Sequence, residues 1–241
     1  AILGQYDRFT PQMSLLHKGK TVSFGETTSA DVRATDVEIR EGRPHFDLVT
    51  PEGRDAVGLR LVGTHHVSNA LAAAAVATSL GIAIEVIAGA LSTAEIASKW
   101  RMELHELEGL ILINDSYNAN PASMMTALET LTAMPCIGKR IALLGDMREL
   151  GTSSQEEHRT LLQQVLQFCD VCIVTGEEFS RAYASIESLS ADIIHAEDIG
   201  QCAQLINQLA HSGDIVLIKG SRGIKLERVL EQWRELRILS E

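Results

Sequence analysis

Residues 140–157 read RIALLGDMRELGTSSQEE, and this stretch decides the fold. An apolar run at 141–144 ends in Gly145-Asp146, a polar loop continues to Gly151, and Ser153 and Ser154 each have a glutamate three residues on. The run is too short for a helix and lacks polar alternation, so it reads as a strand buried on both faces. Each serine–glutamate pair has the capping-box spacing that starts a helix. Strand, polar loop and helix in that order form the repeating unit of a parallel sheet.

The same rhythm extends in both directions. LILI (110–113), DVCIVTG (170–176), DIIHA (192–196) and DIVLIKG (214–220) are strand-like, and helices are expected to begin near 122, 154, 177, 198 and 223. The second half of the chain therefore reads as α/β: a doubly wound, mostly parallel, Rossmann-like sheet. Before about residue 105 the character differs. KTVSF (20–24), VRATDVEIR (32–40), PHFDLVT (44–50) and AVGLRLV (56–62) are short strand-like runs. Glu41-Gly42-Arg43 and Pro51-Glu52-Gly53 carry turn chemistry between them, so they predict an antiparallel meander. Two helices follow, over about 66–80 with a stop at Gly81 and over about 83–92. The expected domains are 1–107 and 108–241, the second with enough apolar strand to form its own core.

Of the 241 residues, 45% are hydrophobic and 22% charged, as in an ordinary soluble globular protein. The net charge of −11 opposes general nucleic-acid binding. The most apolar stretch, 69–91, is mostly alanine and is interrupted by Ser79, Glu85 and two glycines, so it does not read as a membrane span. Cys169-x-x-Cys172 has no second pair of ligands, and the cysteines read as buried strand thiols with no metal. The expectation is a reduced, cytoplasmic protein, monomeric, without a nucleic-acid or membrane partner.

In an open parallel sheet, ligands bind outside the carboxyl ends of the strands. Three polar connections leave such ends: NDSYNANP (114–121), GDMRELG (145–151) and KGSRG (219–223). Each alone suits a satisfied turn; together they predict a binding surface. Lys219, Ser221 and Arg222 stand before an expected helix start, where free N–H groups and the helix dipole favour a phosphate or a carboxylate. Gly19-Lys20-Thr21 resembles the end of a phosphate-binding loop, but position 14 is Ser14 rather than glycine and the segment leads into a strand. It is rejected. His65 and His66 have no companion ligand at metal spacing, and Asn69, in the first turn of the alanine-rich helix, suits either a helix cap or a base-reading amide.

GTHHVSNALAAAA (63–75), RME (101–103), NDSYNANP, LLGDMRELG followed by His158, and KGSRG occur in the order found in the Mur ligases, which the chain resembles along essentially its whole length. SYNANP followed by GDMRELG most resembles the members that join D-Ala-D-Ala to UDP-N-acetylmuramoyl-tripeptide. The resemblance implies ATP-driven amide formation through an acyl phosphate, with ATP and Mg2+ as cofactors and the tripeptide nucleotide and D-Ala-D-Ala as partners. Carried over by position, Asn69 would read the adenine, Arg101 would lie near the nucleotide phosphates, and Asp115 would hold the ribose hydroxyls. Tyr117, Asn118 and Asn120 would form the nucleotide-facing loop, and Lys219, Ser221 and Arg222 would face the dipeptide. The chain would comprise the antiparallel-strand and helical second half of a central domain plus a whole C-terminal domain. The phosphate-binding loop and magnesium ligands would precede residue 1, leaving no catalytic residue assigned here and no ligase turnover from these residues alone. His66 stands where the family carries asparagine. The alternatives are a non-catalytic nucleotide- or dipeptide-binding module, or a sister amide ligase of another Mur or folylpolyglutamate-synthase type.

Overall fold

The structure, a computed structural model, describes residues 1–95 and 99–238. Two compact units, 1–95 and 96–241, each carry their own sheet. The first unit contains β1 (Ile2–Gly4), β2 (Val22–Gly25), β3 (Val32–Arg40), β4 (Arg43–Thr50) and β5 (Gly53–Gly58), side by side in chain order. The β3–β4 and β4–β5 pairs are antiparallel, as the turn residues predict. Glu41 (φ 51°) and Gly42 (φ 77°) supply the two left-handed residues of a type I′ hairpin. The meander stops there. β2 and β3 are parallel, contrary to expectation, and β1, unforeseen, is parallel to β2. Residues 26–31 step the chain sideways instead of reversing it. The Asp31 carboxylate holds that step by accepting the Ser23 N–H (2.8 Å) and hydroxyl (2.7 Å). These bonds, the backbone one foremost, keep its carboxyl below the usual carboxylate range.

Two helices, α1 (His66–Ser79) and α2 (Ile84–Thr93), cover one face of this sheet. Val67, Ala70, Leu71, Ala74 and Ala75 form the buried stripe of α1 against Val32, Phe46 and Leu48. Gly81 (φ 76°) ends α1 where predicted. Its N–H donates to Thr78 O (3.0 Å) and that of Ile82 to Ala77 O (3.1 Å), a Schellman cap.

The second unit is built on β6 (Glu103–Leu107), β7 (Leu110–Asp115), β8 (Arg140–Gly145), β9 (Val171–Thr175), β10 (Ile193–Ala196) and β11 (Ile215–Lys219), in the order β10-β9-β8-β11-β7-β6. All neighbours are parallel except β6, which pairs antiparallel with β7 through a second Glu-Gly turn, Glu108 (φ 50°) and Gly109 (φ 78°). This unit therefore begins before the expected boundary at 107/108. The helices are α3 (Pro121–Ala133), α4 (Ser154–Gln164), α5 (Glu177–Ala184), α6 (Ile199–Leu209) and α7 (Glu227–Ile238).

Two expectations about helix starts need correcting. α4 begins as predicted, but neither serine closes a capping box. A turn of 3-10 helix at Gly151–Ser153 leaves Ser153 helical (φ −83°, ψ −7°), whereas a capping side chain needs extended backbone. The last helix starts at Glu227 rather than near 223, because Arg222–Ile224 form a 3-10 turn closed by left-handed Lys225.

Cys202, Ala203 and Ile206 of α6 and Val229, Leu230 and Trp233 of α7 share one core with Leu112, Leu143 and Ile218. The alternate strand residues, Ile113, Leu144 and Leu217 among them, are equally buried and point to the other face, under α3, α4 and α5. The chain thus leaves β7 and β8 toward one face and β11 toward the other. A crevice opens on each side of β11 at the carboxyl edge, where a doubly wound sheet binds its ligands.

Candidate functional site

The crevice between β7 and β11 is built on an ion pair. Register sets Lys219, last in β11, opposite Asp115, last in β7. Lys219 Nζ donates to Asp115 Oδ2 (2.6 Å) and to Asn118 O (3.0 Å), and Asp115 Oδ1 accepts the Met102 N–H (3.2 Å). The Lys219 side chain is 3% exposed and that of Asp115 15%, so this is a buried pair that fixes the 114–121 loop. Asn114 reinforces the loop: its Oδ1 accepts the Ser116 hydroxyl (2.7 Å) and N–H (3.3 Å), both residues being buried. Asn120 caps α3, exchanging bonds with Ser123 in a reciprocal capping box ahead of Pro121. Asn118 Oδ1 accepts the Ala119 N–H (2.8 Å), and the side chain is exposed.

Above this base lies a ladder of aromatic rings and guanidinium groups. Arg101 Cζ sits 4.2 Å from the Tyr117 ring centre, and Arg222 Cζ lies 4.8 Å from that of Trp100 and 5.7 Å from that of Tyr117. The Tyr117 N–H donates to Trp100 O (3.0 Å). Both arginines are exposed, and among the described residues neither has a carboxylate partner. Stacking at such exposed sites contributes about 0.5–1 kcal/mol each. The next anion to arrive would find two unpaired guanidinium forks.

Lys219 and Ser221 are not the free donors of a helix start. Lys219 is spent on Asp115. Ser221 ties three segments together: its hydroxyl accepts the Arg148 N–H (2.9 Å) and reaches Ala119 O (3.4 Å), while its N–H donates to Asp146 O (3.0 Å). Of the three residues expected to meet a ligand at this loop, Arg222 alone is exposed. In the first unit, Asn69 is exposed as the fourth residue of α1 and does not cap it: the N-cap residue is His65, and the Asn69 amide enters none of the described hydrogen bonds. The His65 and His66 ring centres lie 4.1 Å apart with the rings tilted by 40°, and burial first, then His65, pushes the His66 pKa down to about 4.

On the other side of β11, β8 and β11 approach backbone to backbone: a Cβ on Gly220 would lie 3.1 Å from Gly145 Cα. Asp146 is buried and accepts the N–H groups of Phe179 (2.9 Å) and Glu178 (3.2 Å), so it caps α5. His158, fully buried, accepts the Met147 N–H at Nε2 (3.0 Å) and donates from Nδ1 to Ser154 O (2.7 Å). These bonds hold the β8–α4 loop over a cleft of about 600 Å³, lined by Arg148, Glu149, Glu177, Glu178 and Ile224 among others. From sequence, residues 145–151 belong to the expected binding surface, but none of these residues carries a role of its own. Their signal was the GDMRELG loop itself, which places a lone arginine beside a glutamate at the edge of the sheet.

The four cysteines are free, three of them buried. The Cys169 thiol, then burial, raise the Cys172 pKa, and burial pushes Cys202 up to about 11, so neither favours thiolate chemistry. Among the described residues no three His, Cys, Asp or Glu side chains converge as cation ligands would, and no helix is long and apolar enough to cross a membrane.

Comparison with known proteins identifies the class to which this doubly wound sheet belongs. The model of the Mur ligase glutamate ligase domain matches residues 100–222, just over half the chain, and that of the Mur ligase middle domain matches 3–77. The chain belongs to the Mur ligase family. It is 29% identical over 92% of its length to the UDP-N-acetylmuramoyl-tripeptide–D-alanyl-D-alanine ligase of Bacillus subtilis, and 31% identical over 86% to that of Escherichia coli. It covers 49% and 45% of those proteins, so it spans about half the length of the curated relatives it matches. Among solved structures, MurF from Acinetobacter baumannii superposes with a TM-score of 0.87 at 30% identity, over 98% of this chain and 52% of that one. MurF from Thermotoga maritima in complex with ADP gives 0.80 at 26% identity, over 98% and 53%.

Proposed function

We propose that the chain forms the nucleotide-facing and dipeptide-facing part of an ATP-dependent ligase that joins D-Ala-D-Ala to UDP-N-acetylmuramoyl-tripeptide. The observation that carries this is the pair of unpaired guanidinium groups, Arg101 and Arg222, stacked around Tyr117 and Trp100 at the β7–β11 crevice. In a chain of net charge −11, two exposed arginines held together without a carboxylate suit a polyphosphate. The relatives named above carry this activity in their names, and one structure holds ADP.

Arg101 and Arg222 hold phosphate oxygens, and Tyr117 keeps both guanidinium planes in place. The Asn118 side chain, exposed, lines the nucleotide side; Asn120 acts on it through the start of α3. Asp115 orders the loop through Lys219 and offers its remaining lone pairs to a ribose. The uncommitted amide of Asn69 is what reading an adenine requires. Lys219 and Ser221 act on the dipeptide side by positioning, since both are buried and bonded. ATP supplies the activated phosphoryl group when bound. No described residue is assigned to Mg2+ in this reading.

The test is ADP binding by the chain, read by tryptophan fluorescence, since Trp100 is one of only two tryptophans. ADP should change the emission, Arg101→Ala should weaken binding at least tenfold, and Arg222→Ala should do so too. With the tripeptide nucleotide, D-Ala-D-Ala, ATP and magnesium, the chain alone should release no phosphate above blank. Undiminished ADP binding in both variants would remove the reading.

A further inference from the structure

We propose that Trp100 is a positioning residue for the crevice between β7 and β11: its ring holds the Arg222 guanidinium beside Tyr117, and its carbonyl fixes the Tyr117 loop against Arg101. The inference rests on the polyphosphate reading of this crevice and adds to it the residue that presents both arginines. Three features favour the role.

The first is what holds Arg222. This residue opens the 3-10 turn after β11, is exposed, and has no carboxylate partner among the described residues. Its contacts are with rings: the Trp100 centre lies 4.8 Å from its Cζ and the Tyr117 centre 5.7 Å. The nearer ring is also the better one, since tryptophan attracts a cation more strongly than tyrosine does. Arg101, by contrast, lies over Tyr117 at 4.2 Å. The two guanidinium groups thus share Tyr117, and Trp100 is the closer restraint on the second of them. Without it, an incoming anion would have to gather two mobile like charges, an ordering cost that a restrained pair avoids.

The second is the backbone. Trp100 (φ 62°) and Met102 (φ 50°) flank Arg101, and both are left-handed, a conformation unfavourable to bulky side chains. Each is tied to the 114–121 loop: Trp100 O accepts the Tyr117 N–H (3.0 Å), and the Met102 N–H donates to Asp115 Oδ1 (3.2 Å). The chain is therefore pinned on either side of Arg101. The third is residue type. Glycine would adopt the Trp100 conformation without strain and would keep its carbonyl bond, so the backbone gives no reason for a large side chain here. Met102 is buried, and packing accounts for it. Trp100 is only half-buried, and its ring meets Arg222.

Calorimetric titration of the chain with ADP, with the Arg222 Nε–H signal followed by NMR, tests the role. In the wild-type chain that signal should be displaced by the Trp100 ring current. Trp100→Gly, which suits the left-handed backbone, should return it to the position of a free arginine and weaken ADP binding roughly two- to fivefold, the worth of one exposed contact of this kind. Trp100→Phe keeps a ring against the guanidinium and should recover most of both readouts. Because Trp100 acts through Arg222, Trp100→Gly should add nothing to the loss caused by Arg222→Ala. An undisplaced Arg222 signal in the wild type, wild-type ADP affinity in Trp100→Gly, or a full additional loss in the double variant would overturn the proposal. The wider reading fails separately. If Arg101→Ala and Arg222→Ala leave ADP binding intact, the crevice is not a polyphosphate site and this role falls with it. If those variants lose ADP while Trp100→Gly does not, Trp100 alone is misassigned.

Discussion

At the scale of the residue, Asp115 shows how a correct motif acquires a different physical meaning. From sequence, an acid in NDSYNANP resembles a ribose ligand, and Asp115→Asn would be expected to leave the melting temperature near wild type. The buried pair with Lys219 reverses that expectation. Replacing the carboxylate leaves an ammonium that is 3% exposed without its counter-charge, and removing one partner of a buried pair costs about 3–5 kcal/mol. Asp115→Asn should therefore lower the melting temperature well below wild type in the absence of any nucleotide, and an unchanged melt would show that Lys219 is compensated elsewhere. His66 carries a second prediction. Its pKa falls from 6.5 to about 4 in the folded chain, so the unfolded chain binds a proton between those values that the folded chain refuses. Stability should fall as pH drops from 6.5 to 4, stay low below 4, and be unaffected above 6.5. After discounting for a half-exposed ring, the loss is about 1.5 kcal/mol. The difference in melting temperature between wild type and His66→Asn should be flat above pH 6.5 and narrow or change sign toward pH 4; a constant difference would rule out the titration of His66.

At the scale of the element, the signal for the start of α4 was right in place and wrong in chemistry. Ser153 and Ser154 have the spacing of capping boxes, yet a preceding 3-10 turn keeps Ser153 helical, and its hydroxyl bonds Leu150 O instead (2.9 Å). The capping box that does form joins Asn120 and Ser123, and it hides inside the stretch that looked most like a ligand loop. Sequence spacing reports which residues can cap; the φ and ψ of the capping residue decide whether they do. Asn120→Ala should therefore cost about 1 kcal/mol of stability, while Asn120→Asp, which keeps the acceptor, should cost little. Equal destabilisation by both variants, measured by chemical denaturation, would contradict the cap. Strands divide in the same way. β7, β8, β9 and β11 were legible because burial on both faces demands unbroken apolar runs. β6, an edge strand of half-buried and exposed residues reading ELHEL, carries no such run. Its one clear signal was Glu108-Gly109, the same turn pair that closes β3 and β4.

At the scale of the whole molecule, the division of labour was visible but its seam was misplaced. Composition changes near residue 105 because the antiparallel strands and alanine-rich helix give way to the repeating strand–helix pattern, and that change suggested a boundary at 107/108. Strand pairing places it earlier: β6 belongs to the second sheet through five paired positions with β7, and the compact units divide between 95 and 96. The carboxyl edge of the sheet was likewise legible as three polar loops, whereas its partition into a basic crevice and an acidic cleft was not. That partition depends on which charges are spent on each other, as Lys219 is on Asp115 and Arg181 on Glu177 and Glu178. The position of the seam can be tested directly. A fragment of residues 99–238 keeps β6 and should unfold in one cooperative step. A fragment of 109–238 leaves β7 as an unpaired edge and loses the β6 ladder, at about 0.5–1.5 kcal/mol for each hydrogen bond. It should be less stable by at least about 2 kcal/mol and more prone to associate through the bared strand. Limited proteolysis of the intact chain should accordingly cut before residue 103 and spare 103–115. Equal stability of the two fragments, or preferential cutting within 103–108, would return the boundary to where the composition change had set it and make β6 an appendage of the sheet.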